Sequence, residues 1–433
     1  MSKDSKLRHK IKRQITRSAS RLTQGWGKVV SRFVREMIYG IQACRDIKVS
    51  NVARALNEDI RLIKTENRLC RKLAARDLTG SINNYLCWEG VGLVREDTVL
   101  AVDIGDIRKE YADRMEYLAR VRDGSTGEIV NGYWLCQVAA AHPCGDKVVP
   151  LYGELYSQEA EGFRSENAQI LKAIDAVTEA TEKRGIVAID RGGDRASIIK
   201  PLLGRELRFV IRQDGRRHVV LPSGKTYSVR RASQWCTTEA ERTVEIEKEG
   251  TRKVRKIRFG ALEVTLPDMP EKKLWLVVIR GFGKDPIMLL TNVRPACAAA
   301  DRPPAGREHS VWVGELYLTR WKCEETYRFL KSTYNLEDVR VRSYVGLRNT
   351  YALLNAVMYF VSAVIGTRPR LPLIFKKICE KSRRFYEIAS FFHYAVADGI
   401  HRLLFGSESR LSKPKRRDRA ASQQLFPFAR APT

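Results

Sequence analysis

The chain has 433 residues, of which 44% are hydrophobic and 30% charged, with a net charge of +28. That length supports two or three domains with at least one large core, and the charge favours a polyanionic partner, nucleic acid ahead of an anionic membrane surface. Nine scattered cysteines without a C-x-x-C pair read as reduced thiols. The basic N-terminus has no apolar signal core, and the longest apolar stretch, Tyr351 to Ile365, reads as a buried helix rather than a membrane span.

Residues 1–95 read as a basic helical region suited to DNA. Leu7, Ile11, Ile15, Ala19 and Leu22 recur at helical spacing, Val30, Phe33, Val34, Met37, Ile38 and Ile41 form a second stripe, and Leu56, Ile60, Ile63, Cys70 and Leu73 suggest a third, interrupted one. Residues 1–50 hold thirteen Lys/Arg against three Asp/Glu. From residue 96 the pattern turns to strands: Thr98 to Val102, Met115 to Val121, Tyr133 to Ala140, a helix over Ser165 to Ala180, then the apolar run Gly185 to Ile189 and Arg208 to Ile211. This predicts the first part of an α/β (α+β) core over 96–211. Residues 212–308 read as a β-rich insertion that ends in a Pro- and Ala-rich loop, 309–370 as the second part of the core, 371–406 as C-terminal helices and 407–433 as a basic disordered tail.

Asp103 and Asp190 each follow directly after a hydrophobic β run. A carboxylate fixed at the edge of a sheet suits a hard divalent cation, which takes oxygen ligands in set positions; the plainer reading is that each Asp opens a turn. Asp106 and Asp194 follow three and four residues later as competing ligands. Gly192 and Gly193 would allow close backbone approach to a phosphate, or form an ordinary strand-to-helix turn. Tyr317, Arg320, Glu324 and Lys331 are spaced by three, four and seven, which places all four on one face of a helix running from Glu315 to Lys331. The competing reading of that face is a solvated surface with an Arg320–Glu324 ion pair.

Those four residues match the Y-x2-R-x3-E-x6-K signature, and the sequence resembles bacterial insertion-sequence transposases of the cut-and-paste DDE type. Ala101 to Asp106 resembles their first-aspartate motif and Ala188 to Asp194 their second, with 87 residues from Asp103 to Asp190 and 134 from Asp190 to Glu324. The resemblance spans roughly residues 50–365. It implies an RNase H-like mixed sheet in which Asp103, Asp190 and Glu324 are the catalytic carboxylates and hold two Mg²⁺ ions, with Mn²⁺ as a substitute. It further implies DNA contacts by Tyr317, Arg320 and Lys331, with Arg191 and Trp321 as additional contact candidates. An aromatic that stacks on an extruded base would be one of Trp321, Trp235, Trp275 and Trp312. The implied partners are double-stranded DNA, as element ends and target, and a second copy in a synaptic homodimer, with no membrane. The implied location is the cytoplasm, at the nucleoid. An RNase H-like nuclease or recombinase without strand transfer, or a non-catalytic DNA-binding regulator, are the competing functions.

Overall fold

The computed structural model describes residues 3–124, 126–143, 147–248, 251–294, 308–365, 377–379 and 392–405. Five helices open the chain: α1 (Lys3–Leu22), α2 (Lys28–Cys44), α3 (Val49–Leu56), α4 (Leu62–Ala74) and α5 (Thr79–Gly90). The five residues of the first stripe are all buried, as are Phe33, Val34, Met37, Ile38 and Ile41 of the second. Exposed Lys and Arg side chains occupy the opposite face of α1. The third stripe is two helices rather than one. Asn57 closes α3 in the left-handed region at φ 44°, a conformation Asn tolerates better than most residues. Leu56 and Leu73 are buried, whereas Ile60 and Ile63 are 49% and 55% exposed.

The described strands are β1 (Val99–Arg108), β2 (Ala119–Arg122), β3 (Ile129–Ala141), β4 (Val148–Tyr156), β5 (Ile186–Ile189), β6 (Phe209–Arg212), β7 (His218–Val220), β8 (Thr226–Ser228), β9 (Ala240–Lys248), β10 (Thr251–Leu266), β11 (Met269–Arg280) and β12 (Ile287–Thr291). They form one mixed sheet in the order β2-β3-β1-β5-β6-β12-β11-β10-β7-β8, with β4 on the edge of β3 and β9 on that of β10. β1, β5 and β6 run parallel and β3 antiparallel to β1, an RNase H-like α+β arrangement. The β character expected after residue 212 is present, and it extends the core sheet, because β12 pairs directly with β6. β2 covers only the end of the strand expected over Met115 to Val121. β4 carries no alternation because all nine of its residues are buried, and Pro150 sits at a register shift against β3, where its missing N–H costs no ladder bond.

Helices cover both faces. α6 (Glu166–Ala180), α7 (Ala196–Gly204) and α11 (Tyr344–Tyr359) lie with the N-terminal helices on the face of Leu100, Val102, Val187 and Ile189. α9 (His309–Thr319) and α10 (Trp321–Tyr334) cover Val99, Ala101, Ile186 and Ala188. A short α8 (Val229–Ala232) follows β8. α11 runs on through a π-helical turn at Phe360–Val364. α12 (Phe392–Leu404) packs against α1 and α2. Most of the loop expected before residue 308, part of the C-terminal helical region and the basic tail lie outside the described residues. No described helix is long and apolar enough to cross a membrane.

Candidate active site

The two aspartates meet through strand register. β1 and β5 pair in parallel with Val102 opposite Ile189, so Asp103 and Asp190 are the next positions on adjoining strands. Side chains alternate along a strand. Because Val99, Ala101, Ile186 and Ala188 pack against α9 and α10, Asp103 and Asp190 fall on that same face. Asp103 does not end its strand, as the apolar run had suggested. β1 continues to Arg108, held by β3 through the pair Arg108 and Gly132, while β5 stops at Ile189. Asp103 therefore marks the point where the parallel neighbour ends. Asp190 caps the turn Arg191–Gly193, its Oδ1 accepting from the Gly192 N–H at 2.8 Å. A Cβ on Gly193 would meet Ile189 Cγ2 at 2.7 Å. The glycine pair thus serves a tight strand-to-helix turn.

The third carboxylate comes from α10. The signature helix tightens at Arg320, the residue between α9 and α10, which keeps right-handed helical dihedrals at φ −54° and ψ −33°; the Cys323 N–H bonds Arg320 O, a shortened turn. Two contacts seat α10 on β1. The Cys323 thiol reaches Ala101 O at 3.8 Å, and the Tyr327 hydroxyl donates to Asp103 O at 3.1 Å. Gly105 permits the second: a Cβ there would lie 3.1 to 3.3 Å from the Tyr327 ring. Glu324, one turn before Tyr327, is held by Arg320 Nη2 at 2.8 Å. Arg320 is 4% exposed; burial opposes the charge of its guanidinium, and Tyr317, Asp103 and Glu324 together outweigh it and raise the group above its usual range.

Burial raises the Asp103 carboxyl to about 7; the positive charge of Arg320 opposes this, and the negative charges of Asp190 and Glu324 add to it. Asp190 and Glu324 are thus both near enough to act on Asp103. Among the described residues, however, no three His, Cys, Asp or Glu side chains stand in metal-binding geometry. Glu324, ion-paired to Arg320 and with its side chain 54% exposed, points at its cation instead.

The competing ligands are engaged elsewhere. Asp194 takes Arg217 Nε on one oxygen at 2.6 Å and the Asp214 N–H on the other at 3.0 Å. Asp106 accepts from the Gly124 N–H at 3.2 Å and lies 3.6 Å from Lys331. Lys331 itself pairs with Glu337 at 2.8 Å. Tyr317 is fully buried, with Arg320 over its ring, so neither offers a donor to a duplex in this conformation. The Tyr317 hydroxyl and Arg320 Nε are buried without a hydrogen-bond partner among the described residues. Arg191 is exposed beside Asp190. Trp321 is 45% exposed, edge-on to Phe282. Trp235 is also exposed, beneath Arg231; Trp275 is half-buried against His309; and Trp312 is core. Gly105 and Tyr327 were not singled out from the sequence, since only the pairing of helix with strand gives them meaning.

Residues 150–360 match the family model described as Transposase DDE domain. No curated protein matches the sequence. Among solved structures the chain is similar to the piggyBac transposase in a cryo-EM synaptic complex with hairpin DNA. That likeness has 10% identity and a TM-score of 0.41, over 97% of this chain and 88% of that one. The matched segment begins after Asp103 and contains both Asp190 and Glu324, so the likeness to the transposase DDE domain covers two of the three predicted carboxylates.

Proposed function

We propose that the chain is a DNA transposase that binds the terminal inverted repeats of an insertion sequence, cuts the DNA and transfers the freed 3′ ends to a target. What carries this reading is one observation: Asp103 on β1 and Asp190 directly after β5 follow the paired residues Val102 and Ile189 on adjoining strands, on the face covered by the helix that bears Glu324. The donor set is all carboxylate oxygen, the chemistry preferred by Mg²⁺, and the raised Asp103 carboxyl marks a site short of positive charge. Asp103, Asp190 and Glu324 would hold two divalent ions, Mg²⁺ or Mn²⁺, Glu324 turning from Arg320 to do so. Such ions activate a water or 3′-hydroxyl and stabilise the leaving oxygen of an in-line displacement.

The residues of the chain then have separate tasks. The Gly192 amide fixes the Asp190 carboxylate, and Tyr327 ties α10 to the Asp103 backbone. Arg320 holds Glu324 in reserve. Its unpartnered Nε and the Tyr317 hydroxyl are donors that a DNA phosphate would satisfy once the junction between α9 and α10 opens. Arg191 and Trp321, both exposed, meet DNA directly, and Lys331 contributes charge behind them. A second copy completes the synapse of two ends, and the nucleoid is where the substrate lies. The test is excision from a donor plasmid carrying the gene with its native flanks. Wild type should release the element and re-insert it, and Asp190→Asn should do neither. Release without re-insertion would leave a nuclease, and binding with no release by either protein a regulator.

A further inference from the structure

The stripe that failed to bury supplies the inference, which rests on the transposase reading and adds the element that recognises the DNA sequence. Ile60, Leu62 and Ile63 are three large aliphatic side chains within four residues, and all are exposed, at 49%, 38% and 55%. An apolar cluster kept in water and rimmed by Arg61 and Lys64 is characteristic of a binding surface. α4 begins inside this cluster. Its inward face, Thr65, Leu69 and Leu73, is buried, and α4 packs on α3 and α11. At 100° per residue, Ile63, Lys64, Asn67, Arg71 and Ala74 fall together on the opposite side, and all five are exposed. That face bears no carboxylate. The Asn67 side-chain amide has no partner among the described residues, and Arg71 reaches only the Asn67 carbonyl, at 3.4 Å.

The helix is rigidly mounted. Arg68 bridges Glu36 of α2 and Glu58 of the turn before α4, and Arg32 bridges the same two carboxylates from α2. α3, the turn over 57–61 and α4 are thus two packed helices joined by a short turn and braced on α2, with the second helix presenting amide, guanidinium and aliphatic groups outward. These groups match the base edges of a major groove: Asn bidentate to adenine, Arg to guanine, and an aliphatic side chain against a thymine methyl. The thirteen residues of α4 span roughly 20 Å, which a major groove accommodates.

We infer that α4 is a major-groove recognition helix, reading the terminal repeat through Asn67 and Arg71 with Ile63 against a base methyl. The test uses the full chain and two labelled duplexes, one with the native terminal repeat and one of the same composition scrambled. Wild type should prefer the repeat. Asn67→Ala and Arg71→Ala should each lose about 10- to 100-fold of that preference. Asn67→Ala, which removes no charge, should bind the scrambled duplex within about threefold of wild type, and both variants should melt with wild type because the positions are exposed. Unchanged preference in both variants would overturn the inference and leave the transposase reading standing. If wild type bound neither duplex, both would fall. If Ile63→Glu altered the oligomeric state measured by light scattering but not the preference, the face would belong to a second copy of the chain and the inference would be wrong.

Discussion

Replacing Asp103 with Asn should stabilise the metal-free protein while abolishing cleavage. The carboxyl is held near 7 by burial and by its two acidic neighbours, against an ordinary value of about 3.9. For a carboxyl raised on folding, the associated stability is fully present below the unfolded value and is lost as pH rises through 4 to 7. At pH 8 the ionised form then costs about 4 kcal/mol, and partial solvent access at this half-buried side chain brings that to on the order of 2–4 kcal/mol. Asparagine keeps the shape and cannot ionise. Urea unfolding in chelator should therefore find Asp103→Asn more stable than wild type by that amount at pH 8, with the gap closing towards pH 4. Millimolar Mg²⁺ should stabilise wild type and leave the variant where it was. A variant less stable than wild type at pH 8, or a gap indifferent to pH, would refute the picture of three carboxylates short of a cation.

Other consequences can be measured in the same way. Gly105→Ala places a methyl 3.1 to 3.3 Å from the Tyr327 ring; it should cost about 1–3 kcal/mol by overpacking and slow cleavage by tilting α10 off β1, and full activity would show that this seat is immaterial. Asp194→Ala strands Arg217, which is 2.6 Å from a carboxylate with a 4% exposed side chain. Loss of such a partner typically costs about 3–5 kcal/mol, so the variant should unfold at lower urea, and one that merely lost metal affinity would return Asp194 to the ligand set. Burial lowers His393 to about 4. The unfolded chain takes up that proton first, so stability is present above pH 6.5 and falls as pH drops towards 4, by about 2 kcal/mol at pH 5. His393→Leu should lack that part of the slope between pH 7.5 and 5.

Much of this was legible in the sequence because the core elements bury one clear face. Leu7, Ile11, Ile15, Ala19 and Leu22 needed only the helical period, and the apolar run before Asp190 needed only β propensity. β4 was invisible because burial on both faces erases alternation. Asp103 was read as a strand end because its apolar run stops there, whereas the strand is continued by hydrogen bonds to β3 that no local pattern encodes. The single face drawn through Tyr317, Arg320, Glu324 and Lys331 rests on the helical period alone. The Arg320–Glu324 ion pair expected of that face is present, whereas the burial of Tyr317 against the sheet is tertiary and no helical period encodes it. Ile60 and Ile63 show the converse: aliphatic residues at helical spacing imply a core stripe, and their exposure is the observation on which the reading of α4 stands.

The most direct test of the account is cleavage of a duplex carrying the element end, with Mg²⁺, by wild type and Glu324→Gln, with DNA binding measured in the same samples. Wild type should cut at the end to leave a 3′-hydroxyl, and Glu324→Gln should bind equally and cut at least about 100-fold more slowly, as expected when a metal-ion contribution of several kcal/mol is lost. Cleavage by Glu324→Gln at the wild-type rate would contradict the assignment of the third carboxylate and, with it, the site.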